Sequence, residues 1–164
     1  MPNIFDPQLD EELNREGYIH RGITLGPHAG AERLGASLYE VDAGQSNTPY
    51  HWHTANEEML IVLRGTVTLR TPDGEREVEG GEVVSFRRGE AGAHQLLNRT
   101  DEPVRFVVVS EMRAPELPVY PDSAKVGVRE VAPGSGLEGL RLNFRTADAV
   151  DYWHGEGTQD RERQ

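Results

Sequence analysis

The chain has no cysteine. Disulfides, thiolate metal sites and cysteine nucleophiles are thereby excluded together, and any metal must be held by His, Asp or Glu. Positive charge is also scarce: 17 Lys and Arg stand against 28 Asp and Glu, a formal net charge of −11. A surface of that sign repels nucleic acid and anionic membranes, so a small molecule is the expected ligand. Of the basic residues only Lys125 is a lysine, a skew that carries no functional weight. No stretch approaches the roughly 18 apolar residues of a membrane-spanning helix. The start, Met-Pro-Asn-Ile-Phe-Asp-Pro, has no basic segment followed by an apolar run, so the expected location is the cytoplasm. There is no tandem repeat, and 164 residues suit one domain with a single core and modest arms.

What is present is a change of texture along the chain. Residues 1–34 are polar and interrupted by Pro2, Pro7, Gly17, Gly22, Gly26, Pro27 and Gly30, which reads as an N-terminal arm. Within it Asp10 to Arg15 could form one or two helical turns capped by Asp10. Residues 35–113 carry short runs rich in Val, Ile, Leu, Phe and Thr between Gly-containing turns, the pattern of an all-β sandwich or barrel. Strands are predicted near 36–41, 48–53, 58–64, 66–71, 75–79, 82–86, 93–98 and 103–110. Pro72-Asp73-Gly74 marks the clearest hairpin, and Met59 to Leu63, apolar on both parities, should be covered on both faces. Residues 114–164 are again rich in Pro and Gly, with β-like pieces at 125–129 and 140–144. They read as a C-terminal extension packing on the barrel or on a partner, with a frayed end from about Gly155.

The chemistry concentrates in two stretches. In the first, His51 and His53 are two apart on a predicted strand, so both face one centre while Trp52 faces away. Glu57 or Glu58, after a short turn, could bring a carboxylate opposite them; periodicity does not choose between the two. In the second, His94 could add a third imidazole, with Asn98 on the same face. His20, His28 and His154 are expected to be solvated or capping residues, Trp52 and Trp153 packing anchors, and Arg87 and Arg88 a solvated turn.

Gly44 to Gly65 resembles the first motif of the cupins: a glycine, an HxH pair, a glutamate, and a glycine after six more residues. Only Glu58, not Glu57, leaves six residues before Gly65. Gly81 to Asn98 resembles the second cupin motif through Gly81, Gly89, His94 and Asn98. It departs in having Arg87 where proline is usual and four residues between Gly89 and His94 instead of about two. The resemblance implies a cupin-type double-stranded β-helix, a jelly-roll barrel, with extended N- and C-terminal arms. It also implies one divalent transition metal on His51, His53, Glu58 and His94. Three imidazoles and a carboxylate suit Fe(II) or Mn(II) first, with Zn or Ni next. Tyr120-Pro121-Asp122-Ser123 and Asp151-Tyr152-Trp153 resemble extensions of small bacterial cupins of unassigned function.

Such a site implies a metal-dependent enzyme of oxygenase or isomerase type acting on a small oxygen-rich organic molecule. The alternative is a small-ligand-binding or metal-storing cupin without turnover. A homodimer is expected, because Ile4, Phe5, Ile19, Ile23 and Leu25 in the first arm, with Val126, Val128 and Leu140 in the second, need a surface to cover. No general acid or base is identifiable from the sequence.

Overall fold

Short β-branched runs divided by glycine turns fold into strands that alternate inward and outward side chains. The computed structural model describes residues 2–132 and 137–156. Its strands are β1 (Glu11–Leu13), β2 (His20–Thr24), β3 (Leu34–Val41), β4 (Glu58–Arg64), β5 (Thr66–Thr71) and β6 (Gly74–Glu79), followed by β7 (Val83–Phe86), β8 (Gln95–Leu97), β9 (Val104–Glu111), β10 (Val119–Tyr120), β11 (Lys125–Arg129) and β12 (Arg141–Arg145). A six-stranded sheet runs β1-β2-β3-β9-β4-β7, and three-stranded sheets run β6-β5-β8 and β10-β11-β12. The pairings are antiparallel throughout, as in a jelly roll whose hydrogen bonding does not close into a full barrel.

The inner core lies between the six-stranded sheet and the β6-β5-β8 sheet. Val41, Leu60, Val62, Val104 and Phe106 come from one side and Val67, Leu69, Val78 and Leu96 from the other. The outer face of the large sheet carries a second cluster, Ile23, Leu25, Leu38 and Val107, against which Ile4, Leu9, Ile61 and Leu63 pack. This second layer explains why residues 60–63 are apolar on both parities: Leu60 and Val62 face the inner core, Ile61 and Leu63 the outer one. The N-terminal arm therefore covers its own barrel.

Two local expectations need correcting. Asp10 to Arg15 holds no helix; Glu11–Leu13 is strand β1, paired with β2. A two-turn helix gains little alone, whereas an open sheet edge offers ladder hydrogen bonds. Residues 48–53 form no continuous ladder either. Pro49 lacks a donor, and the segment is held by bridges instead: Ser46 to Leu97, His51 to His94, and Trp52 to Val119. Of the expected anchors, Trp52 is half-buried, but Trp153 is 71 % exposed, its ring edge-on to Tyr152. Of the polar end expected to fray, residues 157–164 lie outside the described residues.

The motif glycines differ in what they do. Gly65 has φ +82°, and a Cβ there would lie 2.9 Å from the Val104 side chain; Gly44 has φ +73° but open space around it. Gly65→Ala combines left-handed strain with overpacking and should destabilise by roughly 2–4 kcal/mol. Gly44→Ala, with strain alone, should cost about 1 kcal/mol. Urea unfolding of both variants checks the difference; equal midpoints would show that Val104 does not enforce Gly65.

Candidate metal centre

The site is built from backbone pairing first. His51 and His94 are direct cross-strand partners, with His51 N donating to His94 O at 3.1 Å and His94 N to His51 O at 2.8 Å. Partners directly opposite in an antiparallel pair project to the same face. Their ring centroids are accordingly 4.7 Å apart. His53, two residues on, shares that face, with its centroid 4.8 Å from that of His51. Trp52 pairs the other way, with Val119, so residues 51–53 are wedged between the His94 segment and the C-terminal extension.

Glu58 opens β4 opposite Phe86 and Ser110. Its Oε2 lies 3.2 Å from Nε2 of His53 and 3.2 Å from Nε2 of His94. His51, His53 and Glu58 bring their donor atoms within 4.8 Å of one another, a group that could hold a metal ion. His94 joins them through Glu58 and is stacked on Phe86, the centroids 3.8 Å apart. Glu57 is exposed, so the structure brings Glu58 and not its neighbour to the histidines.

Hydrogen bonding fixes which ring nitrogens are available. His51 Nδ1 donates to the Pro49 carbonyl at 2.9 Å and His94 Nδ1 to the Gly92 carbonyl at 3.0 Å. A carbonyl only accepts, so each Nδ1 carries the proton and each neutral ring presents the lone pair of Nε2. For His94 that nitrogen lies 3.2 Å from a carboxylate oxygen, so a proton or a metal ion must stand between them. Both ring nitrogens of His53 are buried without a hydrogen-bond partner. Buried polar atoms are rarely left so; a divalent ion would satisfy Nε2, while Nδ1 faces Glu116 Oε1 at 3.6 Å. The donor set therefore fits a metal.

Electrostatics point the same way. Burial lowers the pKa of His51 to about 4, helped by the neighbouring His94 and His53 rings, so it is neutral and ready to ligate. Burial alone would lower His53 as well, but Glu116 and Glu58 outweigh it and raise its pKa to about 9. In the metal-free protein a proton on His53 takes the place of the cation. Burial opposes the charge on Glu58, yet His53 and His94 hold it ionised well below the usual carboxylate range.

One residue beside the site escaped the sequence reasoning. Glu116, only 3 % exposed, comes from the C-terminal extension, and its Oε1 lies 3.6 Å from His53 Nδ1. The same carboxylate accepts from Thr54 N at 2.9 Å, Ala55 N at 3.1 Å and the Asn56 amide. Nothing in the sequence marks it, because it follows Pro115 in a tail without periodicity. Among the histidines expected to be solvated, His20 is instead half-buried, edge-on to Tyr39 at 5.4 Å. Arg87 and Arg88 are exposed, as expected.

The donors open onto a cavity of about 520 Å³. Its wall includes His51, His53, Glu58 and Glu116 at one end and Glu11, Thr24, Ser37, Tyr39, Ser110 and Glu111 elsewhere. His94 stands behind the wall, 3 % exposed. No helix among the described residues is long and apolar enough to cross a membrane.

The family model of the cupin domain matches residues 37–110, which span both motifs and strands β4 to β8. A sugar phosphate isomerase of the cupin superfamily from Silicibacter pomeroyi is similar at 27% identity and TM-score 0.70, covering 82% of this chain and 80% of that one. A structure from Acidithiobacillus ferrooxidans, named for the same activity as an unproven assignment, is similar at 25% identity and TM-score 0.72, covering 82% and 81%. The polyketide cyclase RemF of Streptomyces resistomycificus shares 32% identity over 59% of this chain and 68% of its own, with TM-score 0.51. No curated protein sequence matches. The chain belongs to the cupin superfamily.

Proposed function

We propose that this protein is a metal-dependent isomerase of a small oxygen-rich carbonyl compound, with His51, His53, Glu58 and His94 as the ligands of one divalent ion. Fe(II) or Mn(II) suits the donor set best. The observation that carries the reading is the convergence of three imidazoles and one carboxylate on the end of an open, hydroxyl-lined cavity. The names of two similar structures that cover about four-fifths of the chain favour isomerisation over oxygenation.

A bound divalent ion would polarise a carbonyl or enediol oxygen of the substrate. The protein's own groups do the rest. Thr24, Ser37 and Ser110 offer hydroxyls to orient a polyol in the cavity. The Tyr39 hydroxyl stays protonated because burial raises its pKa, so it serves as a donor. Glu11 and Glu111 are wall carboxylates outside the donor set, placed to accept and return the proton of an enolisation. Glu116, by way of His53 Nδ1, holds that ring with Nε2 toward the other donors.

Proton NMR in D2O with Fe(II)- or Mn(II)-loaded protein and a panel of aldoses and ketoses tests the activity. Metal-dependent deuterium incorporation next to the carbonyl, abolished by chelation, is the expected result. No exchange across the panel, with metal stoichiometrically bound, would mean a binding or storage protein.

The assembly proposed is a homodimer. Ile4, Leu9, Ile23 and Leu25 of the first arm pack on its own barrel, whereas Phe5 is 78 % exposed; Leu142 and Phe144 of β12, at 43 % and 53 % exposure, lie beside Val128 and Val126 of β11 on one uncovered face. Light scattering at tens of micromolar should give a dimer, and Phe144→Glu should give a monomer. A monomeric native protein would remove the partner.

A further inference from the structure

The wall of the cavity is predominantly acidic, its one cationic group being His53 when that ring holds a proton. It contains four carboxylates, Glu11, Glu58, Glu111 and Glu116, and among the described residues no lysine or arginine lines it. The hydroxyls of Thr24, Ser37, Tyr39, Thr48 and Ser110, the Asn56 amide and the His51 and His53 rings complete its polar surface. A divalent ion would offset two of the four negative charges, and without it the proton on His53 offsets one, so the wall stays acidic in either state.

Several arginines among the described residues are paired away from the wall. Arg21, Arg64 and Arg105 converge on the buried Glu40 at 2.9, 3.4 and 2.6 Å. Arg70 pairs with Asp122 at 2.6 Å, Arg99 with Glu75 at 2.8 Å and Arg145 with Asp148 at 2.9 Å. Closest in sequence to the wall is Arg113, which pairs with Glu111 at 2.7 Å and is 61 % exposed. Arg88 is exposed and acts on Glu111 only through its field.

Phosphate esters are ordinarily recognised by arginine forks, lysines or helix N-termini. Here the wall offers carboxylates, neutral hydroxyls, one amide and two imidazoles of the metal donor set, within a protein whose net charge of −11 adds to the repulsion. We propose that the cavity selects an uncharged polyhydroxylated carbonyl compound and rejects its phosphate ester. The inference rests on reading the cavity as the substrate site. It separates this chain from similar structures named for sugar phosphates.

Matched pairs test it: D-ribose with D-ribose 5-phosphate, and D-mannose with D-mannose 6-phosphate. Binding is measured by calorimetry on the full chain, with and without Mn(II). The neutral sugar of at least one pair should bind about tenfold tighter than its ester. In the Glu11→Gln/Glu111→Gln variant, which keeps the shape and the acceptors, that preference should shrink by roughly tenfold. A phosphate ester that binds as tightly as its parent sugar, or binding of neither, overturns the inference. Failure to take up Mn(II) would instead sink the metal-dependent activity, while the charge preference would still be read from the metal-free cavity.

Discussion

His51→Ala should weaken divalent metal binding by roughly a hundred- to thousandfold, while the β-structure stays intact. Four-donor zinc sites bind with about 10–16 kcal/mol, so one donor accounts for roughly 3 kcal/mol. His51 is pre-organised for that role: its Nδ1 is tied to Pro49 O, its backbone to His94, and burial keeps it neutral. Neither core cluster contains a ligand, so the fold does not depend on the ring. Glu116→Gln should have a smaller effect, about ten- to a hundredfold, because His53 remains a donor and loses only the group that orients it. Competition against a fluorescent chelator gives the affinities and circular dichroism the fold. Wild-type affinity in His51→Ala would remove it from the ligand set. Loss of the β-spectrum at room temperature would make the metal a structural staple.

Metal affinity should rise about a thousandfold between pH 5 and pH 8 and level off near pH 9. The His53 pKa is raised to about 9 despite its burial, because Glu116 and Glu58 face its two nitrogens. Ligation must displace that proton, which costs roughly tenfold per pH unit below 9. His51, at about 4, adds no second proton over this range. Protons therefore compete well above the pH 6 that an unperturbed imidazole would suggest.

Stability without metal runs in the opposite direction. A raised folded-state pKa contributes stability that is fully present below the unfolded value near 6.5 and lost as pH rises through 9. Metal-free protein should thus weaken from pH 6.5 to 9 while the stabilisation by metal grows. Calorimetry at pH 7 in buffers of different ionisation enthalpy should count about one proton released per metal. A count of zero would contradict the contacts made by His53.

The four residues proposed as ligands were picked out by HxH on an extended segment and by the resemblance to the cupin motifs, which adds Glu58 at a fixed distance before Gly65 and His94; the pairing of His94 with His51 is visible only in the structure. Strands 58–64 and 66–71 were readable to the residue, since alternation and a glycine turn suffice there. What was not readable depends on contacts distant in sequence. Residues 48–53 have strand composition, but their partners are His94 and Val119, so they form bridges in place of a ladder. Glu11–Leu13 has helix-compatible composition, and only the open edge of β2 makes it a strand. Glu116 reaches Thr54, Ala55 and Asn56 across about sixty residues, a distance at which no motif operates. The acidic wall is likewise assembled from β1, β4, β9 and the C-terminal extension, and becomes visible only when they meet.

The central claim is that the His51, His53, Glu58 and His94 donors hold one divalent metal, and elemental analysis of protein purified without an affinity tag tests it most directly. The account predicts about one equivalent of a single transition metal per chain, falling to near zero in the His51→Ala and Glu58→Ala variants. Well under half an equivalent of any such metal in the native protein, or unchanged metal in those variants, would contradict it.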